Sequence, residues 1–411
     1  MIKPGRNGFT DQQILDAIQM MDGSAHIQFR FDVLSNGVKT RSIGGTGSVT
    51  LNRFNDVQRT GRFELYDKLN WLTDEIQPVV IYRMPDKVIG ASTDISTWDA
   101  RDALNYSWDD WGALGLTWDA LDSGVIGATV REEQYAEFPV GVFIPSTPKR
   151  NGSGGVNTWS VEAYDRTLIL QEDCLVDTLL IAANTPYISA IQNILIDAGI
   201  TSVFVLDYSE TTIQADRTFE YGTTKLEIVN TLLDEINYNP IFCNENGTFI
   251  ISAYKEPSES QVDFVYSADK YSIIGLDTTT DYDYYAVPNV FLAVCSNPDM
   301  DTSYRSLYIN DNPASVFSTV QRRRKITSIM QPEAIENQAA LDAYVRRRAF
   351  ESVQGYEPIT FNTAINPLHG RAEVLEIRHP DINGVYVETG WDISLSTGGQ
   401  MTHEARRLTR L

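Results

Sequence analysis

Three cysteines in 411 residues, Cys174, Cys243 and Cys295, leave no disulfide framework and no C-x-x-C pair for zinc. Cys243 and Cys295 stand in apolar, strand-like runs and read as small core residues, the usage of a chain assembled in a reducing compartment. Histidine is equally scarce: His26, His369, His379 and His403 share no H-x-x-x-H or H-E-x-x-H spacing. No P-loop, dinucleotide fingerprint or G-x-S-x-G elbow occurs. Asp277, Asp281 and Asp283 lack the glycine and terminal glutamate of a calcium loop. No apolar run approaches the roughly 18 residues of a membrane span, and Met1-Ile2-Lys3-Pro4-Gly5 leads into polar sequence rather than a signal peptide. Positive charge is the remaining shortage: 33 basic against 55 acidic residues give a net charge of −22. Unaided binding to nucleic acid or to anionic lipid is therefore not expected. The sequence predicts no enzyme, no cofactor and no metal.

What is present is organised. The length suits about two to four domains. Thr10 can cap a short helix over residues 11–21, after which Ile27, Phe29, Phe31 and Val33 alternate with polar residues as in a strand. Asn36-Gly37 marks a hairpin. Short strands separated by turn signals continue to about residue 183, with the Pro- and Gly-rich stretch 145–157 reading as a loop. Thr185 as N-cap and Pro186 as first helical residue open a helix with Ile188, Ile191, Ile194, Leu195 and Ala198 on its apolar face. Thr224 and Glu227 form a capping box ahead of Leu226, Val229, Leu232, Leu233 and Ile236. Pro240 to Cys243, an Asn246-Gly247 turn of type I′ and Phe249 to Ile251 complete a helix-plus-hairpin unit. The last region is again strand-rich, with one helix from Pro332 to Ser352.

This helix-plus-hairpin unit resembles the small α/β domain of the central hub proteins of phage tail baseplates, a family that spans the hubs of contractile tails and the structural N-terminal part of tail-associated proteins in non-contractile tails. Phe138 to Ile144 followed by Trp159 to Arg166 is similar to the first hub barrel. Val287 to Val294, Ala340 to Glu351 and His379 to Leu395 are similar to the opening strand, inserted helix and closing strands of the second. The resemblance implies an α+β, mostly β fold: an arm and short helix (1–23), a first β-barrel hub domain (24–183) carrying a Trp-rich insertion (86–127), a small α/β domain (184–260) and a second barrel with an inserted helix (261–411). It also implies a structural role. Three copies would form a ring at the tail tip of a virion, assembled in the host bacterial cytoplasm. The ring would join the six-fold tail tube or distal tail protein to a three-fold spike or fibre, hold the tape-measure protein and let DNA pass.

Two features are candidate contact surfaces. Thr97-Trp98-Asp99, Ser107-Trp108-Asp109 and Thr117-Trp118-Asp119 recur every ten residues, and with Trp111 they hold four of the seven tryptophans. The period is far from the roughly 40 residues of a propeller blade. The tryptophans suit packing, protein docking or stacking on a sugar, so a receptor- or glycan-binding module is an alternative. A tail-borne cell-wall hydrolase is a second, since acidic pairs are abundant. The other feature is basic. Residues 1–320 hold 21 basic and 44 acidic side chains, residues 321–411 hold 12 and 11. Arg322, Arg323, Arg324 and Lys325, with Arg346, Arg347 and Arg348, are candidates for intersubunit contact with acidic neighbours. Three successive arginines on a helix spread over about 200°, so at least one faces inward or a neighbour, and pairing with local acids such as Glu333, Glu336 and Glu351 is the alternative to an intersubunit contact.

Overall fold

The computed structural model describes residues 9–18, 26–90, 93–94, 125–126, 130–153, 156–258, 261–268, 274–280, 287–295, 303–332, 335, 337–354, 357–380 and 382–408. The chain divides into two compact units. One comprises residues 27–81 and 137–411 with the first four; the other comprises 5–26 and 82–136.

In the smaller unit the helix Asp11–Ile18 buries Ile14 and Ile18. Thr10 Oγ1 accepts from the Gln13 amide at 3.3 Å while Gln13 Oε1 accepts from the Thr10 amide at 2.9 Å, a reciprocal cap. Arg83 pairs with Asp86 and Glu133. Trp98, Trp108, Trp111 and Trp118 lie outside the described residues.

In the larger unit a long sheet begins with the hairpin Ile27–Ser35 to Val38–Ile43, turned by Asn36 and Gly37 at φ +51° and +74°, the type I′ conformation. Gly45–Asn52, Arg59–Leu65, Val156–Asp165 and Phe143–Ser153 are successive antiparallel neighbours, and Asp74–Gly90, paired through Ile76 with Phe143, links the last of them to the hairpin. Residues 145–153 are therefore strand rather than loop. Cross-strand pairing of Val156–Asp165 with Phe143–Ser153 overrides the Pro and Gly composition at an exposed hairpin. Phe63 packs edge-on against both Phe31 and Phe143, each pair of centroids 5.5 Å apart.

The C-terminal strands extend this sheet. Ile274–Thr280, Pro358–Thr363, Met401–Arg407 and Asn383–Leu395 pair antiparallel in that order, and Val374–Arg378 joins Asn383–Leu395 to the parallel strand Phe264–Ser267. The two halves of the chain meet in one ladder, Gly390 to Leu395 against Asn52 to Gly47. A Cβ at Gly47 would stand 2.3 Å from the Arg62 carbonyl oxygen, so only glycine allows the three strands to close here.

Between the halves lies the α/β part. Val203–Val205 runs parallel to Phe249–Ile251, which pairs antiparallel with Phe242–Cys243. The helices Tyr187–Asp197 and Lys225–Glu235 cover them around Ile191, Leu195, Val229, Leu232, Leu233 and Phe249. Thr224 caps the second helix, accepting from the Glu227 amide at 3.1 Å. Local details depart from the sequence reading. Pro186, not Thr185, takes the cap position of Tyr187–Asp197. Only Gly247 has positive φ at the hairpin (+72°), so the turn is Asn244 to Gly247, closed by the Gly247 amide on the Asn244 carbonyl at 3.0 Å. Asn244 Oδ1 accepts from the Asn246 and Thr248 amides, which draws the turn back by two residues.

A third layer packs the helix Gln338–Gln354 through Leu341, Val345 and Ala349 onto Phe291, Ala293 and Cys295 of a three-stranded sheet, Tyr304–Ile309, Val290–Cys295 and Thr327–Met330. This helix starts after Pro332, with the Asn337 side chain accepting from the Ala340 amide at its first turn. Cys174, Cys243 and Cys295 are all free thiols. No helix among the described residues is long and apolar enough to cross a membrane.

Candidate interaction surfaces and a buried histidine–glutamate cluster

The two basic runs have different fates. On the helix Gln338–Gln354, Arg347 is the inward arginine, 6% exposed. It donates to the Tyr238 carbonyl at 2.9 Å and pairs with Glu351 at 3.0 Å, tying this helix to the end of Lys225–Glu235. Arg348 reaches the same place, donating to both oxygens of Asp234 at 3.0 and 2.9 Å. Neither is therefore presented to solvent as a free contact. Arg346 is exposed and sits 3.4 Å from Glu256. Arg323, Arg324 and Lys325 are exposed on the turn after the helix Thr319–Arg322, with Arg323 at φ +51°. Arg322 Nη1 donates to the Val287 carbonyl at 2.7 Å. Of the seven basic residues, the Arg323 to Lys325 turn and Arg346 are the surface-facing ones.

A feature that sequence reasoning missed lies inside the second half of the sheet. His369, Glu388 and His403 are buried together at 0–1% side-chain exposure. His369 Nδ1 lies 2.7 Å from Glu388 Oε2, and His403 Nδ1 2.6 Å from Oε1. The outer nitrogens rest on hydroxyls: His369 Nε2 on Tyr266 at 2.6 Å, His403 Nε2 on Thr363 at 2.7 Å.

The surrounding groups fix the protons. Thr363 Oγ1 donates to the Ala364 carbonyl, so it accepts from His403 Nε2–H. A neutral His403 then has a bare Nδ1, which requires Glu388 to donate. Tyr266 accepts from Asn366 Nδ2 and so donates to His369 Nε2, leaving His369 Nδ1–H to donate to Glu388. A protonated glutamic acid between two neutral imidazoles satisfies all four ring nitrogens, and the neighbouring Glu373 carboxyl further favours the protonated form of Glu388. The electrostatics agree: burial pushes Glu388 up to about 8 and His369 down to about 4, and burial also lowers His403 against the pull of Glu388.

Among the described residues these three are the one group of His, Cys, Asp and Glu side chains close enough to hold a metal. Their geometry is that of a hydrogen-bonded core. The two Nδ1 atoms take different carboxylate oxygens, and all four ring nitrogens have partners at 2.6–2.7 Å. Its members are 19 and 15 residues apart on a loop and two paired strands, a spacing with no sequence signature.

No model of a protein family matches the chain, and no curated protein matches it by sequence. Comparison of the fold gives a different result. A tail protein from Neisseria meningitidis MC58 superposes with a TM-score of 0.59 over 92% of this chain and 97% of its own, at 10% identity. This chain has the fold of phage tail proteins. The 43 kDa tail protein of prophage MuSo2 from Shewanella oneidensis gives a TM-score of 0.54 over 92% and 98%, at 9% identity. The tail-protein fold thus covers the α/β part and both halves of the sheet, at identities where only spatial arrangement is shared.

Proposed function

We propose that this protein is a structural component of a phage tail tip or baseplate, in which three copies form a hub ring. The observation that carries the reading is the match of the fold to two tail proteins over more than nine tenths of each chain. Two β-rich halves flanking one α/β part supply two similar units per chain. Three chains then offer six, which answers a six-fold tube above and a three-fold spike or fibre below. The surface-facing cations, Arg323, Arg324, Lys325 and Arg346, would meet acidic residues of the neighbouring copy. A net charge of −22 suits a ring through which DNA slides without being held. Tape-measure and distal tail proteins are the expected partners, and the Trp98 to Trp118 segment a further docking surface. The role is structural rather than catalytic.

Light scattering at low and at high salt tests the ring. The expected mass is that of three chains, falling at high salt because the contacts between copies are ion pairs. A monomer at every concentration and salt, combined with glycan binding that is lost on substitution of Trp98, Trp108 and Trp118, would replace the hub with a receptor-binding module.

A further inference from the structure

Two cavities lined by described residues of the larger unit treat their cations differently. In the larger, about 790 Å³, Arg166 forms two hydrogen bonds to Glu75 at 2.6 and 2.7 Å and Lys39 pairs with Asp32 at 2.8 Å. Its charges are neutralised inside the chain.

The second cavity, about 450 Å³, lies where three distant segments meet: the end of strand Gly45–Asn52, the α/β part, and the helix Gln338–Gln354 with the loop before Val374–Arg378. Five cations line it against two carboxylates, Asp207 and Glu351. Those two carboxylates are already engaged, Asp207 by Lys255 at 3.0 Å and Glu351 by Arg347 at 3.0 Å, while Arg348 has Asp234. Arg53 and Arg371 remain. Among the described residues neither forms an ion pair. Arg371 donates through Nε to Gln58 at 2.7 Å and lies over Phe242 at 5.0 Å; Arg53 lies over Phe54 at 4.9 Å, and among the described residues its guanidinium makes no hydrogen bond. Burial and the nearby Arg53 and Arg347 push Arg371 down to about 9, so the cations oppose one another as the pocket stands. Each guanidinium carbon lies over an aromatic ring, and among the described residues the terminal Nη groups of both make no hydrogen bond, which leaves donors suited to carboxylate or phosphate oxygens.

We propose that this pocket is an oxyanion site in which Arg53 and Arg371 bind a multivalent carboxylate or phosphate ligand. A polyvalent anion would compensate both charges at once. The excess of cations in so acidic a chain is then a binding device. The ligand chemistry has two sources, a free inorganic anion and the carboxylates of an acidic polypeptide segment.

Thermal unfolding of the full chain at fixed ionic strength, with pyrophosphate or with a hexaglutamate peptide as probe, tests this. At least one probe is expected to raise Tm saturably, on the order of 5 °C at a hundredfold excess over Kd. Arg53→Met, whose guanidinium makes no hydrogen bond to lose, is expected to abolish the rise while leaving ligand-free Tm unchanged or higher, because one repelling charge is gone. Arg371→Lys, which keeps charge but loses the fork, is expected to weaken the response by tenfold or more in Kd. A rise with pyrophosphate alone identifies an inorganic anion, and one with the peptide alone identifies a polypeptide carboxylate. If neither probe exceeds sodium chloride at equal ionic strength, or the rise persists undiminished in Arg53→Met, the assignment is wrong.

Discussion

Glu388→Gln is expected to be more stable than the wild-type protein at pH 8, on the order of 2–4 kcal/mol, with the advantage shrinking toward zero near pH 4.5. The reason is linkage. Glu388 is held protonated up to about 8, whereas an unfolded glutamate ionises near 4.5. A group whose folded pKa is raised contributes stability that is fully present below the unfolded value and is lost as pH rises through the folded one. Between these limits the unfolded chain has released a proton that the native chain retains, so the Glu388 contribution to wild-type stability falls as pH rises. Glutamine reproduces the protonated acid: its amide donates to His403 Nδ1 and its carbonyl accepts from His369, with no proton to release.

At the acid end the histidines act in both proteins. His369 titrates near 4 when folded against an ordinary value of 6.5, so its contribution is present above 6.5 and is lost as pH falls toward 4. Glu388→Leu behaves differently from Glu388→Gln. It strands two buried imidazole nitrogens, a loss of about 2–5 kcal/mol relative to Glu388→Gln at every pH. Urea unfolding from pH 4.5 to 8.5 reads all three proteins. A stability difference between Glu388→Gln and wild type that is flat from pH 5 to 8, with Glu388→Gln the less stable throughout, would mean an ionised carboxylate paired with a cationic histidine and would overturn the proton assignment.

Gly47→Val is the second large effect, expected to cost about 3 kcal/mol or more and to lower the yield of folded protein. Gly47 stands opposite both Phe63 and Leu395, the point where the first and last parts of the chain share one ladder. The nearest atom to a new Cβ is backbone, the Arg62 carbonyl oxygen at 2.3 Å, with Phe63 Cα at 3.0 Å. Backbone cannot turn aside as a side chain can, so the strands must part. Gly390 is constrained in the same ladder by the Leu51 carbonyl oxygen at 2.7 Å. Gly152→Ala, on the exposed hairpin, provides the control at within about 0.5 kcal/mol of wild type. An unfolding midpoint for Gly47→Val equal to that of Gly152→Ala would show that the ladder does not close as described.

These two sites mark the border of what the sequence makes legible. Features written in adjacent residues are readable: the Thr224 cap, the Asn36-Gly37 turn and the amphipathic helix around Leu232 each follow from a spacing of four residues or fewer. The composition of residues 145–157 misleads because strand pairing, a property of two segments together, decides their conformation. The ladder between Gly47 and Leu395 spans nearly the whole chain and has no local mark. The same holds for function. Arg346, Arg347 and Arg348 stand out as a run, yet two of the three hold the chain to itself. Arg53 and Arg371, solitary in the sequence, face the cationic pocket. The His369–Glu388–His403 cluster depends on strand register, which no histidine spacing encodes.

A hub of three chains at the end of a tail fixes both the copy number and the position of this protein on assembled particles. Quantitative mass spectrometry of purified virions, with gold labelling of an epitope on this chain, supplies both. The predicted result is three copies per particle with label confined to the distal tip. Label along the tail shaft, a copy number that is not a small multiple of three, or absence from the particle would contradict it.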